Sequence, residues 1–262
     1  MITAASSPAH ALLAWLAGWW RVVHLGALTL ALALSPSSWR RGVRTSLARH
    51  AVLAVAPNLA GFAVLSALIS LVLIRIVVVT ALSYGLSQYA LEMVVRVLVM
   101  ELIPLTAALY AALRCTLPNA VEIARMRASG TMDALAAQGH DTLQREVLPR
   151  VLAGMFAVMM MAAASCVLTL LLAYVSVYGF TVWGFEGYTR TVGRVFGPAV
   201  ALIFGLKIVF LSLAVSIIPV VTVMDGPARR TATRTGPEVA GLVRMLLAIL
   251  VIEAASLVGN YY

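Results

Sequence analysis

Apolar positions run along this chain in long unbroken blocks, with short polar stretches between them. Five windows, about 58–82, 87–113, 151–177, 196–222 and 239–259, stay apolar for roughly 20 residues or more, the length that crosses a bilayer as a helix. A further block, about 9–34, is as apolar but carries Arg21 and His24 near its middle, beside Trp15, Trp19 and Trp20. Tryptophan favours the headgroup level, so this block predicts a helix lying in the interface, with a sixth span as the alternative. No Lys or Arg precedes it, which argues against a signal peptide, and Ser35-Pro36-Ser37-Ser38 ends it. The pattern predicts an all-α integral membrane protein. Residues 1–38 form an N-terminal interfacial region, and 39–262 form a five-span transmembrane domain.

Composition agrees with the pattern. Hydrophobic residues make up 62% of the chain and charged ones 11%, against about 25% charged in soluble domains. The net charge of +9 is unevenly placed. Regions 40–50, 114–150 and 228–244 hold Arg40, Arg41, Arg44, Arg49, Arg114, Arg125, Arg127, Arg145, Arg150, Arg229, Arg230, Arg234 and Arg244, whereas the alternate loops hold Arg96, Arg190 and Arg194. Positive-inside bias puts the first set in the cytoplasm, hence the N-terminus inside and the C-terminus outside, in the periplasm for a bacterial inner membrane. Basic residues dispersed along membrane edges do not make a nucleic-acid surface.

Several chemistries lack their residues. Lys207 is the only lysine, so the chain has no phosphate-binding G-x-x-x-x-G-K-[ST] loop and does not hydrolyse ATP itself. Cys115 and Cys166 form no C-x-x-C pair, and the scattered His10, His24, His50 and His140 form no H-E-x-x-H unit. No metal site or catalytic residue is predicted.

What remains is charge placed where charge is expensive. Glu101, Lys207 and Glu253 each lie inside an apolar run, and ionisable residues there face a bundle interior or a cavity. Two readings stand: a functional polar cavity, or an acid–base pair of Lys207 with Glu101 or Glu253 that locks the bundle. Pro104 falls three residues after Glu101 and predicts a kink beside the carboxylate. Arg114 adds a cation nearer the cytoplasm. The remaining polar segment, "EIARMRASGTMDAL" at 122–135, separates the second and third spans. Pro118 predicts the end of the second span, and Asn119 with Glu122 predicts the cap of a new helix. Ile123 and Met126 share one face of it, which suits docking on a soluble partner.

"ELIPLTAAL", "LRCTLPNAVEIARMRASGTMDAL", "LPRVLAG" and "RRTATRT" occur in this order, and together they resemble the MlaE permease family, the membrane subunits of ABC transporters that work with MCE proteins. Glu101 and Pro104 match the family's acid-to-proline turn, Arg114 an arginine before small residues, and Pro149 and Arg150 its Pro-Arg pair. Glu122, Met126, Arg127, Asp133, Ala134 and Leu135 match its cytoplasmic motif, and Ala232, Thr233 and Arg234 its last loop. The chain departs from the family pattern at Met100, Ile103, Gly130 and Thr131, and in its first span.

The resemblance implies a coupling helix between spans two and three, docking on a separate ABC ATPase that holds the ATP and Mg, through Glu122, Met126, Arg127, Asp133 and Leu135. It also implies an MCE-domain lipid-binding partner, a small cytoplasmic STAS-type regulator, a second identical or related permease, and phospholipids or related lipids as cargo. Lys207 and Glu253 match charges in the family's fourth and fifth spans. With lipid as the cargo that the resemblance implies, Lys207 and Arg114 are expected to offset a lipid phosphate. A secondary transporter and a membrane scaffold without ATP coupling are the other readings of the chain.

Overall fold

A computed structural model describes residues 8–35, 41–86, 89–139, 141–225 and 236–261, and among these every regular element is helical. The helices are α1 (Pro8–Leu34), α2 (Arg41–Ser83), α3 (Ala90–Ala128), α4 (Thr131–Ala137), α5 (Leu143–Tyr178), α6 (Phe185–Val195), α7 (Pro198–Asp225) and α8 (Gly236–Tyr261). Six of them, α1, α2, α3, α5, α7 and α8, are long and apolar enough to cross a membrane. The chain is a multi-pass membrane protein, and all five expected spans lie on these helices. Residues 36–38 and the Ala232-Thr233-Arg234 motif lie outside the described residues.

The helices overrun the apolar windows. Helix α2 has 43 residues, about 65 Å of rod against a hydrocarbon core of about 30 Å, so its first turns, with Arg44 and Arg49, project past the apolar layer. The long helices pack so that arginine-bearing ends of α2, α3, α5 and α8 gather at one end of the bundle, called here the basic end.

Prolines explain how α3 and α5 stay continuous. Three stretches widen to π-helix, Val94–Leu102, Ala112–Thr116 and Leu143–Val147, and each stops two residues before a proline: Pro104, Pro118 and Pro149. The residue between donates its N–H five positions back, Ile103 to Leu98, Leu117 to Ala112 and Leu148 to Leu143. The wider turn makes room for a ring that otherwise clashes with the carbonyl four residues earlier. Pro118 therefore does not end the second span, contrary to the sequence expectation. Asn119 is not a cap either, because the chain is already helical when it reaches it. The break comes at Gly130, whose φ of 73° is a left-handed value that favours glycine.

Burial falls into three layers along the bundle. At the end opposite the basic one, Ile74, Val94, Leu98, Ile103 and Ala173 pack with Tyr188 and Val195 of α6. Burial pushes the Tyr188 phenol up to about 12, so its O–H keeps donating to the Leu170 carbonyl at 2.8 Å through the neutral range. The middle layer brings small residues, Ala107, Ala108, Ala111, Ala112, Ala157 and Ala162, against Phe62, Met161 and Leu211. Small side chains let helix backbones approach closely where lipid supplies no hydrophobic drive. At the basic end Ala120, Ile123, Met132, Val147, Val151, Ile217 and Val221 form the third layer. Outward-facing Leu, Val and Ile cover much of the remaining surface, as expected of a bundle solvated by lipid.

Helices α3, α5 and α7 cross closely at Gly154. A Cβ there would lie 2.9 Å from Ser216 Oγ and 2.9 Å from Thr116 Cγ2, and the β-branched Thr116 has little rotamer freedom to yield. Gly154→Ala is expected to cost about 1–3 kcal/mol by overpacking, read as a lower thermal midpoint in detergent; an unchanged midpoint would mean that this crossing is loose.

Candidate functional site

Charged residues from three helices converge in the half of the bundle away from the basic end. Lys207 of α7 is 2% exposed, and its Nζ is paired with Glu101 of α3 and, at 2.5 Å, with Oε2 of Glu253 of α8. A third bond runs from Lys207 Nζ to the Met100 carbonyl at 3.1 Å. That carbonyl lies four residues before Pro104, the position whose helical donor proline removes. Pro104 thus leaves an acceptor inside the bundle, and the lysine uses it.

An ammonium has three protons, and all three find acceptors here. Neither of the two sequence readings describes this fully. The lock is present, but Lys207 holds both acids and not one. In this arrangement Lys207 is engaged with Glu101, Glu253 and the Met100 carbonyl. Two carboxylates face one cation, and Asn260, two turns beyond Glu253, donates to Glu101 Oε1 at 3.4 Å. Glu253 Oε1 and Asn260 Oδ1 are buried acceptors without a hydrogen-bond partner among the described residues. The sequence signal for Asn260 was its spacing of seven from Glu253, and for Met100 its place four before a proline. Arg114 stands apart: it is exposed and about 20 Å along α3 from Glu101.

The second group of predicted residues sits at the basic end. The last twelve residues of α3, Leu117–Ala128, form with α4 a helix pair joined at Gly130. Its inner face is fixed by Ile123, fully buried, with Met126 and Met132 against Val147, Ile217 and Val221. Met126 is therefore spent on the bundle's own core. Arg127 reaches across to α7 and donates to the Val223 carbonyl at 2.9 Å and to that of Met224. These are among the last carbonyls of α7, which have no partner within the helix, and the cation also suits the negative end of the helix dipole. Glu122 and Asp133 are exposed, and Leu135 is half-buried.

Among the described residues no cluster of His, Cys, Asp or Glu is arranged to hold a metal. The family model described as Permease MlaE matches residues 47–258. No curated protein matches the chain.

Removing one partner of a buried ion pair costs about 3–5 kcal/mol, whereas neutral replacement of the whole set can be tolerated. Lys207→Met alone should therefore lower the thermal midpoint of the purified protein strongly. The triple variant Lys207→Met, Glu101→Gln, Glu253→Gln should recover most of it; a single variant as stable as the parent would remove the lock.

Proposed function

Because the chain belongs to the MlaE permease family, the membrane subunits of ABC-type lipid transporters, we propose that its basic end faces the cytoplasm of a bacterial inner membrane and receives motion from a separate ATPase. In this reading the chain is a non-catalytic subunit, and ATP and Mg belong to the ATPase. The helix pair Leu117–Ala128 and Thr131–Ala137 is the coupling element, with Glu122 and Asp133 as its exposed contacts. A second copy, or a related permease, completes the membrane unit, and phospholipids or related lipids pass to or from an MCE-type partner at the opposite end, with a STAS-type protein as regulator. Arg114, exposed on α3, is the cation we assign to lipid headgroups.

The observation that carries this reading is the Arg127 clamp on the end of α7. A push on the exposed face of the helix pair reaches α7 directly. Helix α7 is a rod of 28 residues, and about 25 Å along it Lys207 grips α3 and α8. Displacing one end of α7 thus loads the charge lock at the other.

We place α1 in the cytoplasmic interface. The contacts of its middle stretch are near the basic end: a Cβ on Gly18 would meet the Arg244 guanidinium, and one on Gly26 would lie 3.4 Å from Ile217. Trp20, Arg21 and His24 line a cleft with Val221 and Met224, at the level where an interfacial belt sits. A helix centred across the bilayer would have its middle at the middle of the bundle.

In a complex reconstituted with its ATPase, Arg127→Ala should keep ATPase association while lipid transfer per ATP falls at least about tenfold, the effect of roughly 1.4 kcal/mol of lost coupling. Glu122→Lys with Asp133→Lys should instead abolish co-purification of the ATPase. Normal transfer by Arg127→Ala would refute the clamp, and undiminished co-purification of the double variant would refute the docking face.

A further inference from the structure

At the basic end a groove of about 520 Å³ opens between α3, α7 and α8. Its walls are Val121 and Ala124 of α3, Pro219 and Val223 of α7, and Leu242 and Met245 of α8, with Arg125 and Arg127 at its rim. The facing positions are small: Ala120, Ala124 and Ala128, every fourth residue along α3, line the groove together with Gly241 of α8. A Cβ on Gly241 would lie 2.7 Å from Thr222 Cγ2, so α8 crosses α7 closely there.

Two features select an occupant. The walls offer little hydrogen-bonding capacity, since the Thr222 hydroxyl already donates to the Ile218 carbonyl at 2.8 Å. A peptide would bury its backbone groups there without partners, at a cost of about 1–3 kcal/mol for each. Arg127 spends donors on α7, whereas Arg125 is exposed and has no ion-pair or hydrogen-bond partner among the described residues. An apolar slot with an unpaired guanidinium at its rim fits an amphiphile with a negative head. The volume lies within the roughly 300–1,000 Å³ of ligand pockets, and basic pockets between membrane helices on the cytoplasmic side hold anionic headgroups.

We infer that this groove binds one anionic phospholipid of the cytoplasmic leaflet, its phosphate on Arg125 and an acyl chain against Val121, Ala124 and Leu242. The site is separate from the Lys207 cluster and depends only on the cytoplasmic orientation of the basic end, not on the identity of the transported lipid. Bound there, the lipid bridges the α3 helix pair to α8, which Arg127 does not reach.

The test uses the full chain with its ATPase in nanodiscs of phosphatidylcholine mixed with phosphatidylglycerol, followed by native mass spectrometry of the released complex. One phosphatidylglycerol per chain should be retained in preference to phosphatidylcholine. Arg125→Gln should lower that retention about fivefold, the effect of one basic residue near a lipid surface. Ala124→Trp should fill the slot and release the lipid. Equal retention of both lipids, or full retention by Arg125→Gln, would overturn the site. So would a disulfide between Val121→Cys residues of two copies, which would make this face a protein interface. Failure here leaves the coupling reading intact, because that rests on Arg127, Glu122 and Asp133.

Discussion

The bundle depends on one ammonium group. Lys207 is taken out of water by α7, and a lone charge there would be prohibitively costly. Two carboxylates and a backbone carbonyl accept its three protons, and each comes from a helix that must be in register for the contact to exist. The carbonyl is available because Pro104 does not supply the donor that would otherwise occupy it. A residue usually read as a defect in a helix here prepares half of a tertiary contact. The same group that holds α3, α7 and α8 together fixes their relative height, which hydrophobic contacts alone specify weakly when the surrounding solvent is also apolar.

Prolines shape the rest of α3 and α5 by the same physics. Each π-turn makes room for its proline, so one continuous helix runs from Ala90 to Ala128 and carries its last turns past the apolar layer. The polar segment that interrupts the sequence is thus not a loop between spans. It is the end of a span, turned back at Gly130 and tied by Arg127 to the end of α7. A rod anchored in the charge cluster at Glu101 and in the Arg127 clamp at its far end is a direct mechanical connection between the two ends of the protein.

The spans were legible in the sequence because a run of apolar residues long enough to cross a bilayer has few other uses. Their ends were not, since helices continue into water for as long as their backbone geometry allows, as α2 does ahead of residue 58. Pro118 was misread because widening to a π-turn leaves no mark in hydrophobic periodicity. Glu101, Lys207 and Glu253 stood out individually by the cost of their charge. Their union did not, because nothing in the sequence sets the relative height of three helices. The partners of Lys207 lie more than 40 residues away in each direction. Arg127 was legible as a cation of the polar segment after the second span but not as a cap for another helix.

The central claim is that α7 carries displacement from the coupling helix pair to the opposite end of the bundle. Leu202 of α7 and Leu257 of α8 are both exposed on that end and accept spin labels once Cys115 and Cys166 are replaced. The distance between the labels, measured by pulsed electron paramagnetic resonance in the complex with the ATPase proposed above, should change when nucleotide is added to the protein carrying Arg127. It should not change in Arg127→Ala. An identical shift with and without the Arg127 side chain would contradict the account, because motion would then reach that end by another route.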